Sequence, residues 1–331
     1  MNSFEYAMPE KIEEIFEYME VPGAVLKAGG NDLLDLMKEE ILAPKRLVNI
    51  RNIDELKFIK EDEKRGLVIG PNMTLAALAG EEKLRGPFQA LAQAAASAAL
   101  PQIRNSATLG GNLCQRPRCW YFRSSDFPCS RKGGDRCFAL DGENQYHAIF
   151  NNSDGCAIVH PSATAVALMA LDAKLHIRDK KNRQEINISE FFIAPAQDIT
   201  RENILEKGEI ISEIVIPSYI KGYKSYYYKQ KEKQAHDWPI ADVAVSLKLE
   251  GPNTCRDARI VLGSAAPIPW RVEKAEALLK NANITKEQAR KAAQSALEAA
   301  EPLSLSSYKI PIFKAIIYRT ICWAAEIDPF I

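Results

Sequence analysis

The sequence predicts an α+β protein in two parts: mixed α and β segments over residues 1–219, then three strands and three helices over residues 220–331. Three observations predict it. The chain has 331 residues, a length that favours two domains. In the first part, short strand-like runs alternate with helical spacing. Beyond about Tyr219 the character changes. Ser225–Lys233, Asp242–Glu250 and Arg256–Gly263 are strand-like runs separated by turn residues such as Gly251-Pro252-Asn253, and helical spacing begins at Val272, at Thr285 and at about Ser307.

Taken in order, Pro9–Met19 has the spacing of a short acidic helix. Val25–Ala28 is a strand that runs through Gly29 and Gly30 into helical spacing from Asp32 to Glu40, with Asn31 or Asp32 as the N-cap. Strands follow at Arg46–Ile50 and Leu67–Gly70. Thr74 caps a helix through Ala79, and Pro87–Ala99 is Ala-rich and helical. Ala107–Asn112 is a second glycine turn. Ser162–Leu171 reads as a helix, and Lys174–Arg178 and Glu213–Ile216 as strands. Thr285-Lys-Glu-Gln288 fits a capping box.

Composition excludes several classes. Hydrophobic residues make up 47% and charged residues 26%, as in soluble globular proteins. Lys+Arg and Asp+Glu are each 43, so no basic nucleic-acid footprint is visible. No run reaches the roughly 18 apolar residues of a membrane span; the nearest, Ile310–Trp323, is broken by Lys314 and Arg319. The N-terminus lacks a basic stretch followed by an apolar core, so a cytoplasmic chain is expected, with a periplasmic one reached only beside a signal-bearing partner.

Two glycine turns are candidate anion sites. In Lys27-Ala-Gly-Gly-Asn-Asp-Leu-Leu34 a strand leads through two glycines into a helix start, where free N–H groups can meet a pyrophosphate. Arg104-Asn-Ser-Ala-Thr-Leu-Gly-Gly-Asn112 places a hydroxyl, two glycines and an amide side chain together. A plain tight turn is the alternative for both. Neither is GxGxxG in a βαβ series, so a Rossmann domain is a poor fit, and no GxxxxGK[ST] occurs, so a P-loop is absent. No Ser-His-Asp, GxSxG or HExxH pattern is present. The chain reads as a cofactor holder, with no catalytic residue of its own.

Five of the seven cysteines fall between residues 114 and 156, in a stretch with little periodicity and an excess of Arg and Lys. A loop that long needs an organising element. Cys119, Cys129, Cys137 and Cys156, spaced C-x9-C-x7-C-x18-C, suit an iron–sulfur cluster or zinc, with inert thiols or disulfides as further readings. Trp120, Tyr121, Phe122, Phe127 and Phe138 can shield a cluster from water. His147 and His160 are alternative ligands or ordinary polar loop residues.

Together, Lys27–Leu34, Ile103-Arg-Asn-Ser-Ala-Thr-Leu-Gly-Gly-Asn-Leu113 and the three-strand, three-helix tail resemble the FAD-binding medium subunit of molybdenum hydroxylases, the family of xanthine dehydrogenase and carbon monoxide dehydrogenase. The insert, with Gln115–Arg123, Pro128-Cys129, Cys137, Ala139–Gly142 and Cys156–Pro161, is similar to the aldehyde oxidoreductase subgroup, whose flavin subunit carries a 4Fe-4S cluster. The resemblance implies a two-lobed FAD-binding fold of the p-cresol methylhydroxylase type, followed by a small C-terminal domain, with the cluster loop inserted at about 114–157. It implies FAD contacts from Leu26, Lys27, Ala28, Gly29, Gly30, Asn31, Asp32, Leu33 and Leu34, and from Thr108, Gly110, Gly111 and Asn112, with both turns around the pyrophosphate. Ile103, Val215 and Lys229 would lie near the flavin. Cluster ligands would be Cys119, Cys129, Cys137 and Cys156, with Cys114 a bystander. Ala163 stands where relatives have Asp, which removes one polar contact. The implied role is electron transfer beside a molybdenum-cofactor-binding large subunit and a 2Fe-2S small subunit, delivering to an external acceptor such as ferredoxin. A zinc-stabilised scaffold without redox activity is the alternative.

Overall fold

The computed structural model describes residues 1–233, 236–251 and 253–331, so Pro252 of the predicted turn lies outside the described residues. The chain begins β1 (Glu5–Ala7), α1 (Ile12–Met19), β2 (Ala24–Lys27), α2 (Asn31–Lys38) and β3 (Arg46–Asn49). The strands form a small parallel sheet in the order β1-β3-β2. Ile12, Ile15, Phe16 and Met19 share one face of α1 and pack on Ala24 and Val48. The crossover from β2 through α2 to the parallel strand β3 therefore presents its glycine turn at the carboxyl end of β2.

Next come β4 (Ile59–Asp62), β5 (Gly66–Ile69), α3 (Leu75–Gly80), α4 (Gln89–Ser97), α5 (Pro101–Ser106), α6 (Leu109–Leu113), α7 (Trp120–Arg123), α8 (Ala163–Ala170), β6 (Lys174–Arg178), β7 (Arg183–Asn187) and β8 (Ile210–Pro217). The strands form an antiparallel sheet ordered β4-β5-β8-β6-β7. Strand β7 carries no apolar alternation, and pairing with β6 alone makes it a strand. Helix α8 is wholly buried and apolar apart from Thr164, with the Ser162 hydroxyl accepting from the Ala165 N–H at 3.1 Å.

The tail holds β9 (Lys224–Gln230), β10 (Ala241–Glu250), β11 (Thr254–Gly263), β12 (Trp270–Arg271), α9 (Glu273–Leu279), α10 (Lys286–Ser295) and α11 (Lys309–Ala324). Its sheet runs β12-β11-β10-β9, all antiparallel. One face, through Tyr227, Ala244 and Val261, joins the core around α4 and α8. The other, through Val243, Val245, Leu247, Ile260 and Leu262, packs on α9, α10 and α11. That is why β10 is buried almost continuously rather than in alternation.

Two local expectations are corrected. The N-cap of α2 is Gly30, at φ +83°, and neither Asn31 nor Asp32 caps it, because other partners hold both side chains. The capping box at Thr285 is half made: its hydroxyl accepts from the Gln288 N–H at 3.1 Å, while the Gln288 amide donates to the Leu278 carbonyl. Among the described residues no helix is long and apolar enough to cross a membrane.

Candidate functional site

The two glycine turns meet although about eighty residues separate them. A Cβ on Gly29 would stand 2.3 Å from the Ser106 carbonyl oxygen, so the backbones touch there and only glycine fits. The Asn31 amide donates to the Ser106 hydroxyl at 2.9 Å and ties α2 to α5. With no side chain capping α2, its first-turn N–H groups stay available to an external acceptor. Leu26, Lys27, Ala28, Leu33 and Leu34 around the turn are all half-buried.

The second turn works differently. The Leu109 N–H donates to Met73 O (2.9 Å), Gly110 to Pro71 O (2.9 Å), Gly111 to the Thr108 hydroxyl (3.2 Å) and Asn112 to Thr108 O (2.8 Å). Its amides are already partnered, so it is no second amide nest. It offers instead the exposed Gly111 surface and the Asn112 side chain, whose oxygen accepts from Ser162 (2.7 Å) and Thr164 (2.6 Å). Gly110 is packed on Pro71.

The other expected FAD residues are spread. Ile103 is half-buried in α5, and its carbonyl accepts from the Ala107 N–H at 2.7 Å. Val215 is a core residue of the central strand β8, 4% exposed and paired with Val68 and Lys174. Lys229 in β9 donates to Ser97 O at 3.1 Å at the end of α4. Arg104 donates to Ala98 O (2.9 Å) and Ala99 O (2.7 Å) in the same place, so two cations cap that helix terminus. Burial lowers the Lys229 ammonium to about 8. Ala163 is buried at the start of α8.

The cysteine insertion forms a second site. Cys119, Cys129, Cys137 and Cys156 all line one largely enclosed cavity, together with Tyr121, Phe122, Ser130, Arg131, Phe138, His147 and Ile158. Cys114 is not among them; burial pushes its thiol up to about 12. A hydrogen bond between Cys137 and Cys156 lowers the first thiol and raises the second. Arg131, its side chain 1% exposed, approaches Cys156 and donates to Glu202 at 2.7 Å. A buried guanidinium beside gathered thiols favours an anionic occupant. Tyr121, Phe127 and Phe138 form an aromatic wall, with Tyr121 and Phe127 edge to face at 5.0 Å.

Among the described residues no three His, Cys, Asp or Glu side chains gather as a single metal ion requires. Zinc draws its thiolates within about 2.3 Å of one point, so the zinc scaffold is not favoured. A cubane takes one thiolate at each of four irons, and four cysteines line this cavity.

The insertion is fixed at both ends. Asp32, expected at the pyrophosphate, turns its carboxylate to the loop. It accepts from the Arg116 N–H (2.8 Å), Arg123 (2.6 Å) and Arg118 (2.5 Å). Phe122 and Cys129 pack on Leu36 of α2. On the far side the Asn144 amide donates to Ala139 O and Ser304, and Lys309 donates to the His147 carbonyl at 2.9 Å. Sequence reading gave no role to Ser162, Thr164 and Lys309. The first two stood only within the helical run Ser162–Leu171, and Lys309 within the run that begins at about Ser307.

Residues 2–219 match the family described as "FAD binding domain in molybdopterin dehydrogenase", and residues 226–321 match "CO dehydrogenase flavoprotein C-terminal domain". The chain is 34% identical over 282 residues to the aldehyde oxidoreductase FAD-binding subunit PaoB of Escherichia coli K12, covering 84% of this chain and 86% of that one. It is 28% identical over 301 residues to the carbon monoxide dehydrogenase medium chain of Hydrogenophaga pseudoflava, covering 90% and 88%. Its fold is similar to a solved carbon monoxide dehydrogenase chain from H. pseudoflava (TM-score 0.75, 26% identity, 98% and 97% covered). It is also similar to quinoline 2-oxidoreductase of Pseudomonas putida 86 (TM-score 0.76, 22% identity, 98% of both), a likeness of fold alone.

Proposed function

The chain belongs to the family of FAD-binding medium subunits of molybdenum hydroxylases, and from that premise we propose that it carries FAD and a 4Fe-4S cluster within an aldehyde-oxidising or aromatic-hydroxylating complex. That it is a flavoprotein subunit of a molybdenum-dependent oxidoreductase follows from the family; the rest is our reading. Residues 1–219 would form the FAD domain, with the cluster loop at about 114–157, and residues 220–331 the C-terminal domain.

The observation that carries the reading is one cavity lined by four cysteines whose shared role was expected from sequence alone. In this reading the free amides of α2 bind the pyrophosphate and Gly29 admits its close approach. Gly111 and Asn112 form the facing wall, with Asn112 oriented by Ser162 and Thr164. Lys229 sets a cation near the isoalloxazine, and Ile103 and Val215 supply apolar surface. Cys119, Cys129, Cys137 and Cys156 hold the cluster, Arg131 offsets its negative charge, and the aromatic wall excludes water. When bound, these groups supply one- and two-electron exchange between a partner's 2Fe-2S centres and an external acceptor such as ferredoxin. A large molybdenum subunit and a small 2Fe-2S subunit are the partners. The complex would be cytoplasmic, or periplasmic beside a signal-bearing partner.

Anaerobic purification tests this directly. Flavin absorption bands with a broad iron–sulfur band, and iron in the sample, are expected. In C137S iron falls to a small fraction while flavin stays near stoichiometric. A colourless, zinc-containing chain would sink the reading, and equal loss of iron and flavin would show that the two sites do not load separately.

A further inference from the structure

We propose that His147 is the hydrogen-bond donor that raises the reduction potential of the cluster in the cysteine cavity, acting on the Cys119 sulfur. The inference rests on the cluster reading above and assigns a residue that the ligand pattern leaves out. His147 lines the cavity, and its side chain is buried, 3% exposed as a residue. Its Nε2 stands 3.2 Å from Cys119 Sγ. Its Nδ1 is buried with no hydrogen-bond partner.

That asymmetry fixes the tautomer once Cys119 is a thiolate. A thiolate only accepts, so the proton belongs on Nε2, and Nδ1 keeps the lone pair that no donor meets. The ring is held rather than free. Its backbone N–H donates to Asn144 O at 3.0 Å, and its carbonyl accepts from Lys309 Nζ at 2.9 Å. Trp120 meets the ring edge to face at 5.5 Å. An N–H dipole fixed on a ligand sulfur stabilises the extra negative charge of the reduced form, so the potential rises. Lys309 is itself fully buried and also donates to Ser264 O, so it ties the His147 backbone to that segment. His147 is thus a positioning residue for the cluster and not a ligand. Its bond falls on a cysteine already counted among four.

The test compares H147F and H147Q in the anaerobically purified complex. Iron and acid-labile sulfide are counted, and the cluster is titrated by electron paramagnetic resonance. The expected result is that H147F keeps its iron and flavin but needs a lower potential for half-reduction. H147Q, which restores an N–H donor, returns toward the wild-type midpoint. If H147F loses iron while H147Q keeps it at the wild-type midpoint, the donor role also stands. Iron lost from both variants would make His147 a ligand and overturn the assignment. An unchanged midpoint in H147F would reduce the residue to packing and overturn it as well. Wild-type protein free of iron would overturn the cluster reading together with this inference, an outcome separate from the other two.

Discussion

At the β2–α2 turn the groups on offer are backbone: the bare amides of α2, with glycines that let another backbone touch them. In the cysteine cavity the groups that meet an occupant are side chains, drawn from a loop whose helical turns are very short. The first site is stiffened by a sheet and helices that would form anyway. The second is held by bonds to its neighbours, Asp32 on α2, Glu202 and the segment around Ser304 and Lys309. A backbone site fails when an atom is added. A side-chain site fails when one is taken away.

Three experiments sharpen that contrast. The largest effect is expected from G29V, because its Cβ would enter the Ser106 carbonyl and neither backbone can yield. A stability loss of about 3 kcal/mol and a flavin-free protein are expected, read by thermal melting and by flavin released on denaturation. G30A should cost only about 1–2 kcal/mol, for a left-handed residue, since its nearest neighbour is the flexible end of Lys27. Equal behaviour of the two variants would break the backbone account.

D32N comes next. It leaves Arg118 without its carboxylate and Arg123 with Asp35 alone, and should cost about 2 kcal/mol, between the exposed and buried cases. Because Asp32 joins the two sites, iron and flavin content should fall together, unlike the selective iron loss of C137S. Flavin and iron both retained at full occupancy would mean that the sites are independent after all.

The smallest effect at neutral pH belongs to His160, at the end of the insertion. Burial lowers its imidazole to about 3, against an ordinary 6.5, and its Nε2 has no partner. The unfolded chain takes up a proton near pH 6.5 that the folded chain refuses until about 3. Stability attributable to this group is therefore complete above pH 6.5 and falls as pH drops through that window. The slope is at most about 1.4 kcal/mol per pH unit. Urea unfolding at pH 7, 5 and 4 should show a shallower decline in H160L. Parallel declines in variant and wild type would remove His160 from the account.

Much of this was legible before any coordinates. The strand–glycine–glycine–helix run, the Thr74 cap and the three-strand tail follow from local rules: period, cap chemistry and turn residues. The four cysteines stood out by crowding. Less legible were β1, β4, β7 and β12, short or polar strands made by their neighbours' hydrogen bonds. Asp32 looked like a cap or a phosphate neighbour, and only the returning loop turns its carboxylate to arginines.

The sequence by itself determined the family and the two-part α+β organisation, because those depend on residue types and spacing along the chain. Tertiary structure alone decided that Gly29 abuts Ser106, that the second turn's amides are already partnered, and that His147 reaches Cys119 with Lys309 behind it. Those facts depend on distances between segments far apart in sequence. Such distances are set by how whole layers pack, and no local pattern encodes them.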